Sequence, residues 1–157
     1  MEKIALYGGI PVKTTPYGTG KRFGKEELAN LEEALDQNSL FYWGGKMTKR
    51  FCEKFADMYD SKYCVTTTSG TASIHVALGA LGIGPGDEVI TSPITDMGSL
   101  IGILYQNAVP VFADLDPHTY NMTPQSIEAK ITERTKAIIP VDLAGIPCDY
   151  DRIFEIA

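Results

Sequence analysis

The residues best suited to chemistry in this sequence are the small ones at Ser69, Gly70 and Thr71. They follow the run Tyr63–Thr67, which predicts a strand, and they open the apolar run Thr71–Leu81, which predicts a helix. The first N–H groups of a helix have no acceptor within the helix, and the helix dipole makes that end electropositive. Gly70 lets a ligand approach the backbone closely, and the two hydroxyls can add hydrogen bonds. The turn is therefore a candidate phosphate site, while the simpler interpretation is that Ser69 only caps the helix.

Other familiar motifs are absent or lie in the wrong context. The glycine-rich stretch 82–86 follows a predicted helix and precedes a predicted strand, the reverse of the order that a dinucleotide-binding turn requires. The sequence contains neither a nucleoside triphosphate P-loop nor the GxSxG turn of a hydrolase. Asp114 and Asp116 admit a Mg²⁺ pair, but aspartate is also favoured in a turn such as DLDPHTY. His75 and His118 are too isolated for a metal site, and we expect no metal.

The elements that must position the turn alternate between strand and helix. After the first strand and helix, the pattern predicts strands at Glu88–Thr91, Val109–Ala113 and Lys136–Leu143, and helices at Met97–Gln106, at Pro124–Ile131 with Thr123 as its cap, and from about Asp149. Such crossovers are right-handed and build a mainly parallel sheet. The sequence predicts a three-layer α/β fold with helices on both faces of the sheet, incomplete here, and we expect the chain to be the front part of a longer protein.

The first third of the chain has a different character. Residues 1–24 are rich in Gly, Pro and Thr and predict an extended arm, and residues 25–62 predict a helical segment. One amphipathic helix begins at Lys25, and a second runs from Lys49 to about Tyr59. Between them lie Phe41, Tyr42 and Trp43 beside two glycines. These aromatic residues are either a hydrophobic plug under a loop or a wall of a binding site.

Composition limits the partners. The 157 residues carry a formal net charge of −6, which argues against nucleic acid or an anionic membrane surface. The apolar runs are too short to span a bilayer, and the first thirty residues show no signal peptide. Three widely spaced cysteines, Cys52, Cys64 and Cys148, argue against a disulfide framework, and each is expected to be a small buried hydrophobe. We expect a soluble cytoplasmic protein.

Taken together, these blocks resemble a known family. The run SGTASIHVALGALGIGPGDEVITSP and the later run from ILYQNAVPVFADLDPHTYNM to IPCDYDRI are similar to the DegT/DnrJ/EryC1/StrS family. Its members are pyridoxal-phosphate (PLP)-dependent aminotransferases of fold type I. The resemblance implies that residues 63–157 are the front part of the PLP-binding large domain. It also implies that the backbone N–H groups of Gly70 and Thr71 hold the PLP phosphate, helped by the hydroxyl of Ser69 or Thr71.

Three features depart from the family pattern. Asp96 occupies the position where the family usually places an aromatic residue on the cofactor ring. Its carboxylate either caps the helix that starts at Met97 or contacts a ring substituent or a substrate amine, and Met97 or the aromatic loop can supply apolar cover. Asp142 stands where a histidine is common and is expected to border the cofactor pocket. The carboxylate that pairs with the cofactor's ring nitrogen and the lysine that holds the cofactor are expected beyond residue 157, so no catalytic residue is assigned in this segment.

The resemblance implies that the whole protein moves an amino group from an amino acid, expected to be glutamate, onto a nucleotide-linked keto sugar. It also implies a symmetric homodimer. Two alternatives stay open: a PLP-dependent sugar dehydratase of the same family, and a regulatory relative that binds PLP or a sugar nucleotide without turnover. The segment alone is expected to be inactive.

Overall fold

The structure, a computed structural model, describes residues 3–15, 18 and 20–157. The chain forms two compact units, Met1–Cys64 and Val65–Ala157. The predicted arm over 1–24 includes positions outside the described residues; within them, Ala5–Tyr7 form one turn of 3₁₀ helix. The predicted division of the chain at residues 24 and 62 stays a prediction. Among the described residues, no helix combines the length and apolarity that crossing a membrane requires.

The first unit contains two helices, α1 at Lys25–Asp36 and α2 at Lys46–Met58. The second begins three residues before its predicted start because Gly45 provides an extended cap and the Lys46 N–H donates to the Gln37 side chain (2.7 Å). The guanidinium of Arg50 on α2 bonds the Glu33 carboxylate on α1 at 3.0 Å. This ion pair joins the two helices.

The aromatic loop between these helices does not form the plug that was one of its two predicted roles. The rings of Phe41 and Tyr42 meet edge to face at 5.4 Å, and those of Tyr42 and Trp43 at 6.1 Å. All three side chains are exposed, Trp43 by 81%. The rings pack on one another and are exposed, so they do not fill a core beneath the loop.

The second unit is a three-layer α/β structure. Its strands are β1 (Glu88–Thr91), β2 (Val109–Phe112) and β3 (Thr135–Ile139), and its helices are α3 (Gly70–Ala80), α4 (Met97–Tyr105), α5 (Pro124–Glu128) and α6 (Tyr150–Ile156). The strands are parallel in the order β2-β1-β3. Val89 packs in a cluster with residues of α3 and α4, while Ile90 packs with residues of α5 and α6. Because successive side chains of a strand point to opposite faces, the helices cover both faces of the sheet, as predicted.

Several element boundaries differ from prediction for local reasons. β3 ends at Ile139 because Pro140 follows, and proline has no N–H to donate to a neighbouring strand. α5 has the predicted Thr123 cap and Pro124 start, but it ends at Glu128 in a tight turn where the Lys130 N–H donates to the Ile127 carbonyl at 2.9 Å.

The predicted strand at Tyr63–Thr67 was wrong. The structure assigns no strand to these residues, and the side chains of Tyr63 and Val65 are 78% and 75% exposed. A strand exists only where its backbone pairs with a neighbour, and this segment pairs with no strand in the described part of the chain.

Glu88 anchors the amino end of the central strand. Its side chain is buried, and its carboxylate accepts hydrogen bonds from the Arg134 guanidinium (2.9 Å to Nε) and from the Thr132 hydroxyl (2.6 Å). The Thr132 hydrogen bond and the Arg134 guanidinium lower the pKa of Glu88 below its ordinary value. A carboxylate whose pKa is lowered by folding stabilises the folded state above its unfolded pKa, and this contribution is lost as the pH falls through the folded pKa.

We therefore predict that Glu88→Gln destabilises the complete protein most at neutral pH. The gap between wild type and variant should shrink below about pH 4, where glutamate side chains become protonated. Urea midpoints at pH 7 and in acid measure this, with Glu133→Gln, an exposed glutamate, as the matched control. Equal midpoints for wild type and Glu88→Gln at pH 7 would show that the ionised Glu88 carboxylate does not stabilise the fold.

Candidate active site

The start of α3 presents two free backbone donors. Ser69 is the N-cap, and its hydroxyl oxygen accepts a hydrogen bond from the Ala72 N–H at 3.0 Å. The Ser73 N–H donates to the Ser69 carbonyl at 3.0 Å. Within the described part of the chain, the N–H groups of Gly70 and Thr71 have no acceptor. Ser69 and Gly70 are exposed and Thr71 is half-buried, so this helix end is open to a ligand.

Two further hydroxyls hold the cap in place. The Oγ1 atom of Thr67 lies 2.9 Å from the Ser69 carbonyl oxygen and 2.6 Å from the Ser73 hydroxyl, which lies 3.1 Å from the same carbonyl. The two hydroxyl groups have only two protons for these three contacts. One hydroxyl therefore donates to the Ser69 carbonyl, and the other hydroxyl donates to the oxygen of the one that does so. This short chain of hydrogen bonds fixes Ser69 and so orients the donors that follow it.

Asp96 caps α4. Its Oδ1 atom accepts a hydrogen bond from the Gly98 N–H at 2.7 Å, and its carbonyl accepts from the Ser99 N–H at 3.0 Å. The capping role considered from the sequence is thus present. The second carboxylate oxygen remains for other contacts, and the neighbouring Met97 side chain is exposed. Asp96 and Met97 therefore both stand at the carboxyl edge of the sheet, just beyond β1.

The starts of α3 and α4 lie close together because α4 has glycines where the two helices meet. A methyl group built on Gly98 would lie 2.5 Å from the Thr71 hydroxyl oxygen and 2.8 Å from Asp96 Oδ1. One turn later, a methyl group on Gly102 would lie 2.8 Å from Ile74 Cγ2 and within 3.1 Å of a backbone nitrogen of α3. The structure thus brings Thr71 and Asp96 to the same point, at the sheet edge where open α/β sheets bind ligands.

The loop after β3 is held together by hydrogen bonds to the Asp142 side chain, which belongs to that loop. The Asp142 carboxylate accepts from the Cys148 N–H at 2.9 Å and from the Tyr150 hydroxyl at 3.1 Å. The Cys148 N–H is the main reason that the pKa of Asp142 lies below its ordinary value, whereas burial raises the pKa of Tyr150. Asp142 thus closes its own loop, and its expected place at the border of a cofactor pocket stays a prediction.

Sequence reasoning missed Asn121, which organises the same loop. Its buried side chain donates to the Ile146 carbonyl at 2.7 Å and accepts from the Leu143 N–H at 3.1 Å. A polar residue between Tyr120 and Met122, in a segment that precedes a capped helix, is the signal that could have identified it. The role of Gly98 was also missed, since its contacts come from a different helix.

The family of the chain follows from comparison with known proteins. The sequence profile described as the DegT/DnrJ/EryC1/StrS aminotransferase family matches residues 21–157. The chain belongs to this family, and the predicted resemblance is confirmed.

Several of the curated relatives carry aminotransferase names. The chain is 42% identical over 157 residues to a Streptoalloteichus tenebrarius protein named L-glutamine:3-amino-2,3-dideoxy-scyllo-inosose aminotransferase, covering 99% of this chain and 38% of the relative. It is 47% identical over 140 residues to the UDP-2-acetamido-2-deoxy-3-oxo-D-glucuronate aminotransferase of Pseudomonas aeruginosa, covering 85% of this chain and 39% of the relative. The chain therefore spans less than two fifths of the length of these relatives.

Solved structures confirm the predicted fold. An aminotransferase from Psychrobacter cryohalolentis superposes with a TM-score of 0.83 at 42% identity, over 90% of this chain and 36% of that one. A sugar aminotransferase from Streptococcus pneumoniae, solved in its PLP form, gives 0.75 at 38% identity, over 82% and 33%. A GDP-4-keto-6-deoxymannose-3-dehydratase, solved with PLP and glutamate, gives 0.76 at 25% identity, over 87% and 36%.

We predict that Asp96→Ala lowers the free energy of unfolding of the complete protein by about 1.5 kcal/mol, because the helix loses both a capping oxygen and a charge that complements its dipole. Asp96→Asn keeps the oxygen and should cost about 0.5 kcal/mol. Urea unfolding of the cofactor-free protein measures both variants. An unchanged midpoint in Asp96→Ala would show that the cap contributes nothing to stability.

Proposed function

We propose that the complete protein is a PLP-dependent aminotransferase that moves an amino group from an amino acid onto a nucleotide-linked keto sugar, with glutamate as the proposed donor. Family membership and the aminotransferases among the relatives support the reaction class. The UDP-linked acceptor in the name of the Pseudomonas aeruginosa relative supports the acceptor class. The observation that carries the proposal for this chain is the pair of N–H groups at Gly70 and Thr71, which find no acceptor in the part of the chain that the structure describes.

These residues fit the phosphate group of PLP. A phosphate offers several anionic oxygens, and the start of α3 offers two aligned N–H donors, a nearby hydroxyl on Thr71 and the positive end of an 11-residue helix dipole. Ser69 is committed to the Ala72 N–H as an acceptor, so its hydroxyl can still donate its own proton to a ligand. When bound, PLP supplies the electron sink on which amino transfer depends.

Asp96 and Met97 form one wall of the proposed site. The Oδ1 atom of Asp96 is held by the Gly98 N–H, so only the other carboxylate oxygen is available to a cofactor substituent or a substrate amine. Capping and ligand contact are therefore compatible in one side chain. The exposed Met97 side chain supplies apolar surface beside it.

A dehydratase of the same family is the second candidate, because a sugar dehydratase superposes on this chain with a TM-score of 0.76. The two reactions differ in their products. An aminotransferase adds nitrogen to the sugar and converts glutamate to its keto acid, whereas a dehydratase removes oxygen from the sugar as water and leaves no nitrogen on it.

The test uses the complete protein loaded with PLP. It is incubated with glutamate or glutamine and with either a UDP-linked keto sugar or a free keto-cyclitol, and the products are identified by mass spectrometry. We expect an aminated sugar nucleotide together with the keto acid of the donor. A dehydrated sugar supports the second candidate, and PLP binding without either product supports a regulatory relative and contradicts the proposal. Light scattering of the same sample tests the proposed homodimer.

The phosphate assignment has a separate prediction that needs no turnover. Thr71→Val keeps the shape of the side chain and removes one hydrogen bond to an anion, which corresponds to about 1.5 kcal/mol or roughly a tenfold weaker affinity for PLP. Calorimetric titration of the cofactor-free complete protein measures it, with Thr66→Val, an exposed threonine on the approach to the turn, as the control. Equal affinities for wild type and Thr71→Val would show that the Thr71 hydroxyl does not bind the phosphate.

A further inference from the structure

Three donors surround the carbonyl oxygen of Ser69, the residue that caps α3. The Ser73 N–H donates to it at 3.0 Å, the Thr67 hydroxyl lies 2.9 Å away and the Ser73 hydroxyl 3.1 Å away. The two hydroxyl oxygens lie 2.6 Å from each other, and a hydroxyl group can both donate and accept. Either hydroxyl can therefore donate to the carbonyl, and if one hydroxyl is lost, the other is still within reach of it.

The Ser69 carbonyl and the Gly70 N–H belong to the same peptide group. A peptide group is planar and almost always trans, so its C=O and N–H bonds point in opposite directions. Contacts that hold the Ser69 carbonyl oxygen therefore also fix the direction of the Gly70 N–H. In the part of the chain that the structure describes, this N–H has no acceptor, and it is one of the two backbone donors proposed for the phosphate.

Gly70 makes this restraint necessary. A rotation of the whole peptide group changes ψ of Ser69 and φ of Gly70 together, and glycine accepts φ values of either sign where other residues resist. Beyond its chain neighbours and its own helix backbone, the described chain places no atom within 4 Å of a methyl group built on Gly70, so the space around it is open. The hydrogen bonds to the Ser69 carbonyl therefore restrain a peptide group that its surroundings leave free to turn.

We propose that Thr67 and Ser73 are interchangeable positioning residues for the cofactor phosphate, a role that rests on the proposed function because it requires the phosphate at the start of α3. Either hydroxyl holds the Ser69 carbonyl, and the shared peptide group then directs the Gly70 N–H toward the anion. A hydrogen bond to a carbonyl also polarises its peptide group, which strengthens the N–H on the other side as a donor. Both side chains act through this peptide group, and neither is assigned a contact with the phosphate.

Single and double variants of the complete, cofactor-free protein test this role by calorimetric titration with PLP and with pyridoxal, which lacks the phosphate. Thr67→Val or Ser73→Ala alone leaves one hydroxyl for the carbonyl, so PLP affinity should stay within about twofold of wild type. The double variant loses both hydroxyls and should bind PLP roughly fivefold more weakly, as expected for one neutral hydrogen bond. Pyridoxal affinity should be the same in all of these proteins. A general loss of structure would instead weaken the binding of both ligands.

Two further double variants serve as controls. Thr67→Ser with Ser73→Ala returns one hydroxyl and should restore the wild-type preference for PLP over pyridoxal, and Thr66→Val with Ser73→Ala, which changes an exposed threonine, should retain it.

The preference for PLP decides the outcome. An unchanged preference in the Thr67→Val, Ser73→Ala double variant, equal losses of both ligands, or a single variant as weak as the double would overturn the positioning role. A wild type that binds PLP no more tightly than pyridoxal would contradict the phosphate site itself, and the positioning role with it. If the double variant does not fold, the single variants decide: a wild-type preference in both supports the interchange, and a loss in either overturns it.

Discussion

The close crossing of α3 and α4 is the constraint on which the candidate site depends. At Gly98 and Gly102 the second helix offers no side chain, and a methyl group at either position would collide with atoms of α3. Helices usually lie 8 to 10 Å apart according to the size of the side chains between them. With glycine at the contact, the starts of both helices lie side by side, and Thr71 and Asp96 reach the same point.

The sheet beneath the helices fixes this arrangement at both of its ends. Val89 and Ile90 in β1 are fully buried on opposite faces, so the central strand cannot shift by one residue without exchanging its two hydrophobic clusters. The Glu88 carboxylate ties the amino end of β1 to Arg134, and at the carboxyl end the Thr91 hydroxyl donates to the Ile139 carbonyl at 3.0 Å. The loop that carries Asp96 and Met97 therefore starts from the anchored carboxyl end of β1.

The sequence predicted the features that short-range rules govern. The caps at Asp96 and Thr123 and the strand Glu88–Thr91 were found because a cap or a buried apolar run depends on neighbouring residues alone. Contacts between distant residues were not found. The expected strand at Tyr63–Thr67 failed because pairing requires a partner strand. The hydrogen bonds of Asn121 went unseen because they join it to Leu143 and Ile146, which lie 22 and 25 positions away in the sequence.

The two helix starts differ in charge, and this difference is the reason that the proposed phosphate site lies at α3. The cap of α4 is Asp96, whose carboxylate already complements the positive end of that helix. The cap of α3 is Ser69, which is neutral, and among the described residues the N–H groups of Gly70 and Thr71 have no acceptor. A phosphate placed at α4 would meet a carboxylate, whereas one placed at α3 meets donors.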